Sequence, residues 1–325
     1  LRATFFIIVE MSEAKEFYRR QAPENTPLFQ QPWWLDSVCG EQWDAVIHRD
    51  HNQLKAAYLY AVNKTGWGQQ IVMPPLTQFL GPLYQLTASG TRERNNEETD
   101  LLEKLLTGLP PFSGFESRWQ HAYQNWLPFH WQQFHQRTRY TYVLEDLSDP
   151  EKLRAGFSEK VRREISKAEK LFHAETADGA DDFYRLLSKN FREKKIHVPF
   201  SLSWFQKVYG ACRANQSGKI LLAKDEGGKI AAGIFVAGDA RTVYYLIGGK
   251  NDDYGNSGAM SFLFWRVFSE LRSAGKKFDF EGSMLKGVEN YFRSFGAVQK
   301  GFFEITKVSS SLLKVKKNVR SMLGR

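Results

Sequence analysis

ILLAKDEGGKIAAGIFVAGDARTVYYLI, residues 220–247, decides the fold class. Ile220 to Lys224 and Lys229 to Ala237 are two strand-forming runs joined through Asp225-Glu226-Gly227-Gly228, whose residues favour a tight turn. Arg241 to Ile247 follows closely as a third strand, so the spacing predicts an antiparallel meander. Upstream, the pattern predicts three helices: Val161 to Phe172, Ala180 to Lys194, and Ser203 to Asn215 with Ser203 as its cap. Downstream come a loop through Asn251 to Ser257, a helix from Gly258 to Ala274, a strand from Lys277 to Phe280, a helix from Val288 to Ser294 and a strand from Gln299 to Thr306. Helices first, a meander next, then helix and strand is an α+β order. It is not the repeated strand-helix unit of a doubly wound sheet.

The first half gives a less complete version of the same order. Trp43 to His48 and Leu54 to Val62 read as a hairpin across His51-Asn52-Gln53, and residues 97–108 as a helix with Leu101, Leu102, Leu105 and Leu106 on one face. Strands are expected at Phe115 to Trp119 and Arg139 to Leu144, and Asp146-Leu147-Ser148-Asp149-Pro150 reads as a boundary that opens a new helix. The expected organisation is an extension over residues 1–26, a first domain over 27–149, a second over 150–306 and a basic tail over 307–325. Met11 resembles an ordinary start, and Phe5 to Val9 is too short for a signal-peptide core.

With 42% hydrophobic and 25% charged residues, the 325-residue chain has the composition of a globular protein, which excludes a collagen-like or mainly disordered architecture. The two cysteines cannot make a disulfide framework or a zinc site by themselves, so no metal is expected and a reducing cytoplasmic setting fits. The net charge of +9 is unevenly spread. Residues 1–150 carry 13 basic and 17 acidic side chains, a net of −4; residues 151–325 carry 32 and 19, a net of +13. A half this basic attracts anionic partners.

Serine-hydrolase, zinc-protease and phosphate-loop motifs are absent, and the seven histidines are scattered. Three segments carry chemistry. On the first basic helix, Lys160, Arg163, Lys167 and Lys170 fall at 3/4 spacing with Arg162 beside them, a pattern that suits phosphate or a solvated face crossed by ion pairs. Tyr244-Tyr245-Leu246-Ile247-Gly248-Gly249 leads towards Gly258-Ala259 at a helix N-terminus, where free N–H groups suit an anion. Phe278-Asp279-Phe280-Glu281-Gly282-Ser283 ends a strand in acidic and small residues, and Tyr291-Phe292-Arg293-Ser294-Phe295-Gly296 follows.

In this order the three segments resemble the FemABX-type peptidyltransferases and the FemAB-like acetyltransferases of the GNAT superfamily. Leu28 to Trp34 and Pro75 to Pro82 resemble that family's first half, and the resemblance spans roughly residues 27–306. It implies two tandem GNAT-like (acyl-CoA N-acyltransferase) domains with mixed central sheets, and a cleft between them where an anionic acyl donor meets an amine acceptor. Acyl-CoA, such as acetyl-CoA, is the donor implied, with aminoacyl-tRNA the alternative. In the peptidyltransferase branch a lysine stands where this chain has Phe292, and a precursor-binding lysine falls between Trp34 and Arg49, where this chain has no Lys or Arg. Tyr254 to Ala259 also lacks the leading Arg of the coenzyme A pyrophosphate loop. These departures favour a FemAB-like N-acyltransferase acting on a small or envelope-related amine over a tRNA-dependent peptidyltransferase of cell-wall precursors.

For the transfer, Glu281 and Asp279 are the expected bases, with Glu281 preferred; Tyr245 or Tyr244 is the expected donor to the oxyanion or leaving group, and Arg293 a cation replacing the lysine. Lys160, Arg162, Arg163, Tyr244, Gly258 and Ala259 are the expected contacts to a phosphate-bearing substrate. A non-enzymatic alternative is a basic protein that binds membrane or nucleic acid. Lys307, Lys314, Lys316, Lys317, Arg320 and Arg325, with Leu312, Val315, Val319 and Met322 at helical spacing, would form an amphipathic helix for peripheral membrane contact.

Overall fold

The computed structural model describes residues 12–309 except Trp67 and Ser273. The expectations for residues 1–11 and for the tail beyond Ser309 lie outside the described residues. The first half builds α1 (Glu13–Gln21), α2 (Pro32–Cys39), β1 (Trp43–Asp50), β2 (Gln53–Thr65), β3 (Gly68–Val72), β4 (Pro82–Tyr84), α3 (Thr91–Thr107), β5 (Gly114–Arg118), α4 (Leu127–Trp131) and β6 (His135–Leu144). The second builds α5 (Pro150–Gly156), α6 (Glu159–Ala168), β7 (His173–Thr176), α7 (Asp181–Glu193), α8 (Leu202–Ala214), β8 (Gly218–Lys224), β9 (Ile230–Gly238), β10 (Thr242–Lys250), α9 (Ala259–Leu271), β11 (Lys277–Asp279), α10 (Lys286–Arg293) and β12 (Val298–Val308).

Local chemistry sets many of these limits. Asp149 accepts the Glu151 and Lys152 N–H groups ahead of Pro150, so the expected boundary does open a helix. Ser158 caps α6 in the same way. The cap of α8 is Ser201 rather than Ser203, because Ser201 Oγ takes the Trp204 N–H and starts the helix earlier. The basic helix is also shorter than expected. It ends at Ala168, and His173–Thr176 instead forms an edge strand against β8. Helix α3 begins at Thr91, well before its apolar face at Leu101, Leu102 and Leu105, because its first turns are exposed polar residues that carry no hydrophobic period.

All the β-strands join one mixed sheet in the order β1-β2-β3-β5-β12-β6-β11-β10-β9-β8-β7, with β4 paired to β2 off this path. The two halves follow one plan. In each, a three-stranded antiparallel meander (β1-β2-β3; β8-β9-β10) is followed by a helix (α3; α9) and a strand parallel to the third (β5; β11). The last strand of each half is then exchanged: β12 lies antiparallel to β5, and β6 lies antiparallel to β11. The pair β6·β12 joins the halves through nine registered residues, Val298↔Val143 to Thr306↔His135. Separating the halves would break these ladders. One core lies between them, where Phe29, Trp34 and Phe79 of the first half pack with Phe205, Phe235 and Tyr244 of the second. A second core, built on Phe264, Phe268, Phe280 and Phe295, lies under α6, α9 and α10.

Candidate active site

Parallel pairing of β10 with β11 runs from Thr242↔Lys277 to Tyr244↔Asp279 and stops there. Beyond that point the strands part. Strand β10 continues against β9 but slips register between Tyr245↔Val236 and Ile247↔Phe235, leaving Leu246 as the extra residue of a bulge. Strand β11 ends, and the chain turns through Glu281 at φ 56° and Gly282 at φ 63°. Gly282 lies so close to β6 that an added Cβ would sit on the Tyr140 carbonyl, so both conformation and space require glycine. Glu281 has no such freedom. A left-handed glutamate at the end of a strand is backbone strain of the kind that concentrates at functional sites.

Two carboxyls meet at this turn. Asp279 is 4% exposed, and its Oδ1 accepts the Thr141 hydroxyl and, at 2.7 Å, the Glu281 N–H. Burial pushes its pKa up to about 6 against the pull of those donors and of the Gln78 side chain. Burial also drives Glu281 well above the ordinary carboxylate range; the Asp279 charge adds to this, and Arg118 opposes it. Glu281 Oε1 is sealed and has no hydrogen-bond partner. Gln78, 7% exposed, likewise leaves its Oε1 unpartnered.

Both residues line a cavity of about 510 Å³ between the halves, together with Arg118, Arg139, Leu246 and Phe302. Its arginines are tied to Glu304, which is 6% exposed and does not itself line the cavity. Arg118 Nε, Arg137 Nη2 and Arg139 Nη1 bond to Glu304 at 3.3, 2.5 and 2.8 Å, and Arg118 also pairs with Glu116 at 2.8 Å. Burial raises the pKa of Glu304, but Arg139, Arg137 and Arg118 outweigh it and hold the carboxyl below its usual range. The register explains the cluster, since Glu304 on β12 faces Arg118 on one side and Arg137 on the other.

The remaining expected residues stand elsewhere. Tyr244 and Tyr245 point to opposite faces of the sheet, as neighbours on a strand must. Tyr244 packs on Phe29 and Phe79 beside a small void shared with Asp279, and Tyr245 packs on Phe264 and Phe292. Neither lines the 510 Å³ cavity. Arg293 lies on the exposed side of α10, paired with Glu289 and Asn290, while Phe292 stacks on Phe280 in the core.

The basic helix and the glycine turn do come together, but as packing. Gly258, at φ 82°, lies against the Glu164 backbone, where a Cβ would collide, so α6 covers the start of α9 at Gly258-Ala259. Ser261 donates to Glu164 at 2.7 Å, and Lys167 Nζ bonds the Asn256 carbonyl at 3.2 Å. Lys160 and Arg163 are exposed and paired with Glu164 and Glu159 one turn away. Arg162 donates to the Ala155 and Phe157 carbonyls and so fastens the α5-α6 corner. No group of metal-ligating side chains occurs among the described residues, and no described helix is long and apolar enough to cross a membrane.

Sequence reading missed Gln78 as a site residue, along with Arg118, Arg139 and Glu304. The available signal was the period-two pairs Glu116-x-Arg118 and Arg137-x-Arg139, which put like-facing charges on two strands.

Comparison with known proteins agrees with this geometry. A family model of the acetyltransferase (GNAT) domain matches residues 155–293, the segment that holds the β10-β11 split and Glu281. Among solved structures, FemX superposes with a TM-score of 0.66 at 12% identity, covering 90% of this chain and 94% of its own. L-PGS from Bacillus licheniformis superposes with a TM-score of 0.55 at 16% identity, covering 96% of each chain. At these identities the likeness is one of fold. No curated protein matches by sequence. Residues 155–293 therefore match an acetyltransferase (GNAT) domain, within a chain whose fold is like that of FemX.

Proposed function

We propose that the chain is a FemAB-like N-acyltransferase that moves an acyl group from an acyl-CoA-type thioester to an amine held in the cavity between the two halves, which divide at Asp149/Pro150. The observation that carries this reading is Glu281. It is a strained, unpartnered carboxyl at the mouth of a strand split, with its proton affinity raised towards the working range of a general base. The amine nitrogen attacks the thioester carbonyl, forming the C–N bond, and its surplus proton passes to Glu281. The C–S bond then breaks, and the proton returns to the departing sulfur. Asp279 acts through Glu281, because its Oδ1 holds the Glu281 N–H and fixes the turn. The backbone at the Leu246 bulge, outside the ladder and on the cavity wall, is the group placed to meet the developing oxyanion.

The start of α9 is covered by α6, so we assign the donor's phosphates no cradle at Gly258-Ala259. The donor class is tested by calorimetric titration with acetyl-CoA and by acetyl transfer to a panel of small amines, followed as free thiol released. Binding of acetyl-CoA, with transfer that Glu281→Gln abolishes, is the expected result. Transfer at an unchanged rate in Glu281→Gln overturns the assignment of the base.

A further inference from the structure

The cavity wall contains two opposite kinds of unmet demand. Gln78 Oε1 and Glu281 Oε1 are buried acceptors with no donor. A sealed acceptor without a partner is uncommon in folded proteins and calls for a specific explanation. An N–H group arriving from a ligand would supply it. The same lining holds Arg118 and Arg139, whose carboxylate partners among the described residues are Glu116 and Glu304. Arg139 bonds Glu304 through Nη1, so the rest of its donor fork is available to a second anion.

Resting on the acyltransferase reading, we infer that the acceptor is an amino acid or a similarly small amine bearing a carboxylate: its nitrogen is received by Gln78 and Glu281, and its carboxylate by Arg139 and Arg118. The planar donor fork of a guanidinium matches the two oxygens of a carboxylate. Aligning the nitrogen by a second acceptor on the cavity lining also gives Gln78 a role. It is a positioning residue that orients the amine lone pair towards the strand split while Glu281 takes the proton. Gln78 is well placed for this because its side chain also lies against Asp279, which ties the positioning group to the turn that carries the base.

The test is equilibrium binding by calorimetry, independent of turnover, with the full chain and no acyl donor. The twenty amino acids are titrated first; the tightest binder is then compared with its decarboxylated amine and its deaminated acid. The amino acid is expected to bind at least about tenfold more tightly than either fragment, each tenfold step corresponding to about 1.4 kcal/mol. Arg139→Gln is expected to remove the advantage over the decarboxylated amine, and Gln78→Leu the advantage over the deaminated acid. Circular dichroism melts on both variants show whether the fold is kept. Should a variant unfold, Arg118→Lys and Gln78→Met replace it, and the same selective losses are required of them.

Equal binding of amino acid and decarboxylated amine overturns the proposal. So does a uniform loss across all three ligands in both variants, or the absence of binding by any amino acid. In those cases acetyl-CoA binding and Glu281-dependent transfer to simple amines would leave the acyltransferase reading standing, so the two failures are separable.

Discussion

The face of α6 and the end of β11 both carry charged side chains, and they are physically opposite. On α6 the charges are numerous and satisfied. Lys160 and Arg163 pair with glutamates one turn away, Arg162 caps a corner and Lys167 closes a loop. At the end of β11 there are only two carboxyls, but one is strained and unpartnered, and both are pushed towards neutrality by burial. Charge density in the sequence marks the first place, and unmet hydrogen-bonding capacity marks the second. The second keeps a hydrogen-bond acceptor without a partner.

The sharpest way to break this contrast is to remove the base. Glu281→Gln keeps the size of the side chain and one acceptor oxygen but no basic group, and should lower acyl transfer by about 10²- to 10⁴-fold, the usual range for loss of a general base. In the wild type, transfer should rise with pH as Glu281 gives up its proton, at a pH well above that of an ordinary glutamate. Transfer by Glu281→Gln should lack that limb, and a superimposable pH profile would reject the role. Next in size is Gly282→Ala. The added methyl meets the Tyr140 carbonyl at a backbone angle that alanine disfavours, so a loss of about 2–4 kcal/mol is expected in a denaturant melt.

Asp279 sharpens the comparison through stability. Its folded pKa of about 6 exceeds the unfolded value of 3.8, so the folded chain binds the proton more tightly. The associated stability is full below pH 3.8 and is lost as pH rises through 6. Asp279→Asn retains an acceptor for Thr141 and for the Glu281 N–H, and it removes this penalty. The variant should be more stable than wild type by about 1–3 kcal/mol above pH 6, with the gain vanishing near pH 4. A gain that persists unchanged in acid would show that burial of the Asp279 charge is not its source.

Much of the fold was legible because its signals are local. The 220–247 meander, the Pro150 helix start and the amphipathic helices rest on neighbours in the chain. The acidic, glycine-bearing end of the strand at Asp279 and Glu281 was also legible as a local pattern. The cavity's other wall was not. Gln78 sits in an irregular stretch, and the three arginines acquire meaning only when β12 inserts between β5 and β6, a pairing that joins residues 118, 137 and 304. Conversely, the basic helix stands out in the sequence by its charge alone. Its periodic charges show which face is solvated, but not that the partners of Lys160 and Arg163 are already on that helix.

The smallest expected effect tests this last point most directly. Lys160 and Arg163 are 80% and 71% exposed at their side chains, and their partners lie at i+4 and i−4. Exposed pairs of this kind contribute only a few tenths of a kcal/mol and are screened by salt. Lys160→Ala with Arg163→Ala should therefore change the melting free energy by less than about 1 kcal/mol and leave acetyl-CoA affinity within about twofold. Arg162→Ala is the internal control. Its guanidinium satisfies two carbonyls where α5 turns into α6, so truncation leaves both without their donor and should cost more than the double variant, by about 1–2 kcal/mol. If the double variant instead lost acetyl-CoA binding while Arg162→Ala kept it, the charges on α6 would be a donor-phosphate site, and the distinction between satisfied and unsatisfied charge drawn at β11 would fail for this half of the molecule.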